Sequence, residues 1–305
     1  MSDLIEPLRL KCDAYEAELT AAVHAVNTTE RFKYTQAKPN TISISTLSAI
    51  ALLNADYINL DKVAERFYDD DVQEYVSQME QTYTVSLKPQ NADHAFSNST
   101  ILKFQGYRNP IAIKIFSNGL LHITGPVSMK ETTEVVRVVS FLLDVIYDQG
   151  KGSFAAHDVY VQMINTNFST GHRLDKERLH RALRDNDMEA WIPEKHPAVR
   201  LMIPVQGRKG KNVKDKVTVL IFASGQVIIT GIKTGDELLV AYKGVMDVFD
   251  RELDTILDKK RPRDEKEVVQ AAAEEEEEYK EVGYTDEVLE DEPAYQFPAM
   301  TPMIT

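Results

Sequence analysis

The 305-residue chain is 43% hydrophobic, enough for a substantial core, and its one cysteine, Cys12, excludes an internal disulfide. No stretch approaches the roughly 20 apolar residues of a membrane span, and the N-terminal MSDLIEPLRLKC lacks the basic-then-apolar order of a secretory leader, so the expectation is an intracellular protein with no membrane partner. The net charge of −13 is unevenly spread: residues 264–305 hold 14 acidic and two basic side chains, a net of −12, which leaves residues 1–263 at −1 and free to carry local basic patches.

In chain order, residues 1–40 form an N-terminal extension. Within it, Ile5, Leu8, Tyr15, Leu19, Val23 and Val26 have helical spacing, and docking on the body and binding a partner are both open uses. ISISTLSAIALL (42–53) reads as a strand leading to a short helix near LDKVAERF (60–67). Residues 69–98 read as irregular, an insertion or long loop. IAIKIF (111–116) is rich in β-branched residues, SNG supplies turn chemistry, and LLHIT returns as a strand. Ser128-x-x-Glu131 matches a capping box and opens a helix over 129–148.

The same order then recurs. DVYVQMINTNF (158–168) reads as a strand, LDKERLHRAL (174–183) as a short helix, VTVLIF (217–222) and QVIIT as a hairpin around ASG. Thr234-x-x-Glu237 caps a helix over 235–256. FSNGLLHITG from Phe116 and FASGQVIITG from Phe222 share the pattern F-x-x-G-x-x-x-I-T-G, 106 residues apart, so the chain is an internal repeat. Boundaries at 41–150 and 151–262 enclose the two units, and 263–305, with its EEEEE run, reads as a disordered acidic tail. The fold class is α+β: two pseudo-symmetric repeats form an antiparallel sheet with the long helices on one face.

Side chains alternate faces along a strand. Ile113, Ile115, Leu121 and Ile123, with Val219, Ile221, Val227 and Ile229, make one wholly apolar face, as a core requires. The other face holds Lys114, Phe116, His122 and Thr124 in the first repeat, and Leu220, Phe222, Ile228 and Thr230 in the second. A solvated face should be polar, so something covers the second set. Another layer of the protein and the floor of a bound groove are equally consistent with periodicity alone.

The paired hairpins, VLIFASGQVIITGIK (219–233) above all, and PEKHP (193–197) resemble the TATA-binding protein family over roughly residues 42–256. The resemblance implies a saddle, a curved ten-stranded sheet with four helices on its convex face. Its underside lies in the minor groove of A·T-rich promoter DNA, and phenylalanine wedges kink the duplex. On that resemblance Phe116 and Phe222 are wedges, with His196 and Phe96 as their stirrup partners. Thr124 and Thr230 lie near groove-floor acceptors, and Lys114, His122, Leu220 and Ile228 complete the floor. The family's central asparagines find counterparts in Asn165 or Asn167 only with a gap, and its phosphate-contacting lysines are replaced by Leu120 and Gln226. The loop QGRKGKNVKDK (206–216) offers Arg208, Lys209 and Lys211 either to phosphates or to solvent.

Glu194 matches a contact for a transcription-factor-IIB-like partner, which with an RNA polymerase machinery completes the expected partners. Divergence and long extensions point to a large DNA virus or a divergent lineage, hence to a nucleus or a cytoplasmic viral replication compartment. The acidic tail has three readings: a phosphate mimic shielding the saddle, a recruiter of a basic partner, or a solubility device. Seven histidines and one cysteine show no metal-ligand spacing, so no metal or other cofactor is expected. No nucleotide-binding glycine loop or nucleophile motif supports an enzyme. The alternative to a promoter-binding factor is a protein-interaction module of the same fold that has lost DNA bending.

Overall fold

The computed structural model describes residues 5–28, 41–79, 83–88, 99–194, 196–205 and 216–258. The chain divides into Met1–Leu257 and Asp258–Thr305, and the elements below all belong to the first unit. Helix α1 (Ile5–Thr28) is followed by β1 (Ser43–Leu53), α2 (Leu60–Arg66), α3 (Asp70–Met79), β2 (Thr84–Leu87) and β3 (Ser99–Gln105). The first repeat closes with β4 (Ile111–Phe116), β5 (Leu120–Thr124) and α4 (Met129–Ile146). The second comprises β6 (Ala156–Ser169), α5 (Lys176–Asp185), β7 (Glu189–Trp191), β8 (Val199–Pro204), β9 (Lys216–Ile221), β10 (Gln226–Ile232) and α6 (Gly235–Ile256).

All ten strands form one antiparallel sheet in the order β2-β3-β4-β5-β1-β6-β10-β9-β8-β7. The order is a palindrome: each repeat contributes five strands, and β1 meets β6 at the centre. Ile113, Ile115, Leu121, Ile123, Val219, Ile221, Val227 and Ile229 are all 0% exposed and belong to one core with the buried faces of the helices. Leu220, Phe222 and Ile228 point the other way and stand outside that core. Below, this opposite face is called the floor.

The repeated glycines explain the repeated motif. Gly119 (φ +77°) and Gly225 (φ +90°) close their hairpin turns, each donating its N–H to the carbonyl of the motif phenylalanine, at 3.1 and 3.0 Å. Their own carbonyls accept from Leu53 and Thr170, at 3.0 and 2.8 Å, tying each hairpin to the end of its repeat's first strand. A Cβ would meet the Ala55 carbonyl oxygen at 2.6 Å and that of His172 at 1.9 Å. Left-handed backbone and close approach together demand glycine. The second glycine of each motif, Gly125 and Gly231, also has positive φ.

Both capping boxes form. Ser128 Oγ accepts from the Glu131 N–H at 3.2 Å while the Glu131 carboxylate accepts from Val127; Thr234 Oγ1 and Glu237 do the same at the head of α6, with Lys233 as donor. Residues 69–98 are not wholly irregular: α3 and β2 lie within them. The α3 signal is short and acidic, with Val72 and Tyr75–Val76 as its apolar spacing. Val72 and Val76 are buried, and Tyr75 packs its ring edge on Phe141 of α4 at 6.5 Å.

Helix α1 docks on the body. Cys12, Leu19, Ala22 and Val26 are buried in the common core. Two carboxylates two residues apart cap the two long helices: Glu16 accepts from Met129 N–H at 2.7 Å and Glu18 from Gly235 N–H at 2.9 Å. A carboxylate at a helix N-terminus satisfies an orphan donor and meets the positive end of the helix dipole, worth about 0.3–1 kcal/mol. Near its N-terminal end, Lys11 pairs with Asp158 of β6 and lies over the Tyr160 ring. Burial raises the Cys12 thiol above its ordinary pKa, which the hydrogen bond with Thr133 only partly counters.

Two expectations follow. Gly225→Ala destabilises by at least about 1–3 kcal/mol in denaturant unfolding, whereas Gly150→Ala, with open space around its Cβ, leaves the midpoint within error. Cys12 reacts slowly with a thiol reagent in the folded protein. The double substitution Glu16→Gln, Glu18→Gln accelerates that labelling by loosening α1.

Candidate nucleic-acid interface

The floor is set by register, because residues opposite each other on paired strands share a face. In the second half, Ile228 lies opposite Leu220 and Asn167, Thr230 opposite Thr218, and Arg200 opposite Leu220 and Trp191. In the first half, Lys114 lies opposite His122 and Ile101, Phe116 opposite Ser99, and Thr124 opposite Ser48 and Ala112. Phe116 and Phe222 therefore occupy equivalent places, each at the mouth of its hairpin turn.

The two halves differ in burial. Leu220 and Phe222 are 1% exposed, Thr230 2% and Ile228 8%. Lys114, Phe116, His122 and Thr124 are all only partly buried. His196 is brought to Phe222, with ring centroids 5.9 Å apart and planes tilted by 46°. Its Nδ1 accepts from the Ala198 N–H at 3.2 Å, which fixes the ring against the chain. Glu194 is exposed on the preceding turn. Phe96, Arg208, Lys209 and Lys211 lie outside the described residues.

At the centre, β6 places Asn165 and Asn167 on the floor. The Thr230 hydroxyl donates to Asn165 Oδ1 at 2.6 Å, and Asn165 Nδ2 donates to the Thr46 hydroxyl at 2.9 Å. Ser43 donates to Asn167 Oδ1 at 3.0 Å. A short polar network thus crosses from β10 through β6 to β1, between the apolar second-half floor and a first half that carries Lys114 and His122. The β1–β6 register shifts beside Asn165, where β1 carries one extra residue between Ile44 and Thr46.

Sequence reasoning missed Arg200, Met202 and Trp191 on the floor of the second half. Alternation in VRLMIP was the available signal: Val199, Leu201 and Ile203 belong to the core, which turns Arg200 and Met202 the other way. Among the described residues no group of three His, Cys, Asp or Glu is placed to hold a metal ion, and no helix is long and apolar enough to cross a membrane.

The family model of transcription factor TFIID, or TATA-binding protein, matches residues 158–251, from β6 into α6. A TATA-box-binding protein-like protein of Acanthamoeba polyphaga mimivirus is 27% identical over 163 residues, covering 47% of this chain and 44% of that protein. The TATA-box-binding protein of Sulfolobus acidocaldarius is 28% identical over 146 residues, covering 47% of this chain and 64% of that protein. The chain thus spans less than two thirds of the length of these relatives. Among solved structures, Methanococcus jannaschii TBP aligns over 69% of this chain and 98% of that chain, at 20% identity and a TM-score of 0.45. Over residues 158–251 the chain thus matches the TATA-binding-protein family model, and it is similar to divergent TATA-box-binding proteins.

The central network yields a prediction. Asn165→Ala strips a partner from both Thr230 and Thr46, and Thr230 is buried, so the cost is about 1–3 kcal/mol. Denaturant unfolding of Asn165→Ala against Asn165→Asp, which keeps the acceptor for Thr230, checks it.

Proposed function

We propose that this protein is a transcription initiation factor that binds the minor groove of A·T-rich promoter DNA, bends it, and helps recruit a IIB-like factor and RNA polymerase. The observation that carries this reading is the matched placement of Phe116 and Phe222, at the end of the third strand in from either edge of one continuous ten-stranded sheet. An apolar floor suits the minor groove of A·T pairs, which lacks the exocyclic amino group of guanine. A ring driven between base steps costs a few kcal/mol of stacking and is repaid by the surface that bent DNA then buries. His196, set against Phe222, supports the wedge at one end. Exposed Glu194 offers a carboxylate to a cationic side chain of the partner. The site of action would be a nucleus or a viral replication compartment.

A second reading, a protein-interaction module without DNA bending, is favoured by one observation. Leu220 and Phe222 are already 1% exposed in the chain alone, so DNA reaches them only if their cover opens. A doubly labelled duplex separates the two readings. The expected result is strong bending of an A·T-rich duplex, little bending of a G·C-rich one, and loss of bending in Phe222→Ala and Phe116→Ala. Absence of bending by the wild type even at low salt contradicts the first reading and leaves the second.

A further inference from the structure

Arg200 stands on the floor without an ionic partner among the described residues. It lies opposite Leu220 on β9, and Leu220 is two residues from Phe222. Its guanidinium carbon is 5.7 Å from the centre of the Trp191 ring, within the range of a cation–π contact. Its Nε is buried and makes no hydrogen bond among the described residues. Glu189, on the same face of β7, is engaged by Lys216 at 2.5 Å. Among the described residues no carboxylate pairs with Arg200. A guanidinium held by an indole, its fork unneutralised, is a preformed receptor for an oxyanion.

The repeat supplies a second, independent argument. Leu220 is the counterpart of Lys114, at the 106-residue spacing that relates Phe222 to Phe116. Lys114 pairs with Ile101 on β3, as Leu220 pairs with Arg200 on β8. Each half of the floor therefore carries one cation and one aliphatic side chain in the same cross-strand pair, beside its phenylalanine, with the two exchanged between strands.

We infer that Arg200, steadied by Trp191, binds a nucleic-acid phosphate beside the Phe222–His196 pair, as the second-half counterpart of Lys114. This rests on the DNA-binding reading above. Neutralising one phosphate contributes about 0.9 to the slope of log affinity against log salt concentration.

The test is fluorescence anisotropy of an A·T-rich duplex across a salt series, with wild type, Arg200→Ala, Arg200→Gln and Arg200→Lys, and thermal unfolding to confirm each fold. Both neutral variants should lower the slope by about 0.9, so that the loss of affinity between about 50 and 200 mM salt shrinks about 3.5-fold. Arg200→Lys, which keeps the charge and loses the planar stack, should retain the wild-type slope at weaker overall affinity. A wild-type slope in Arg200→Gln overturns the inference and leaves the DNA-binding reading intact. No binding by the wild type at low salt removes both.

Discussion

The antiparallel ladder between β1 and β6 is the interaction on which the rest of the structure depends. Ten registered pairs, from Ser43–Asn167 to Leu53–Ala156, join the two five-stranded halves into one sheet. Without that ladder each repeat would expose an edge strand, and neither floor would continue into the other. With it, the two motif phenylalanines take matching places on one surface, each at the end of the third strand in from an edge. Helix α1 reinforces the join from the core side, because Glu16 and Glu18 cap one long helix of each repeat.

The floor is symmetric in its frame and asymmetric in its chemistry. The first half carries Lys114 and His122, half-buried; the second carries Leu220 and Ile228, closed off. Exposing a buried leucine, isoleucine or phenylalanine to water costs roughly 1.5–3 kcal/mol. Opening the second half is therefore unfavourable by several kcal/mol unless an apolar surface takes the place of the cover. The first half needs no such exchange. This difference leaves charge on one half and a closed apolar surface on the other, with the Asn165 network between them.

Much of this was legible where the backbone itself is constrained. The F-x-x-G-x-x-x-I-T-G motif could be read because positive φ and the close approach of Ala55 and His172 carbonyls admit only glycine. Alternation assigned all eight core-facing hairpin residues for the same reason: a one-residue slip would have put them on the floor. Helix α3 and strand β2 escaped because they are short and polar, and their order comes from tertiary contacts such as Tyr75 on Phe141 and Tyr83 on Phe104. Asn165 sits beside irregularities in register, which period-two counting does not follow. His196 came from a motif resemblance alone, since periodicity has nothing to say about an irregular turn. Arg200 was within reach of alternation, but only once β8 had been recognised as a strand.

We propose that the floor reads a minor groove. Inosine–cytosine pairs test it most directly, because they present the minor groove of A·T and the major groove of G·C. Binding should be measured to three duplexes that differ only in the central site: A·T, inosine–cytosine and G·C. The first two should bind alike and the third much more weakly, since the guanine amino group would press into Ile228, Leu220 and the Asn165 network. Equal affinity for all three, or inosine–cytosine behaving as G·C, would contradict it.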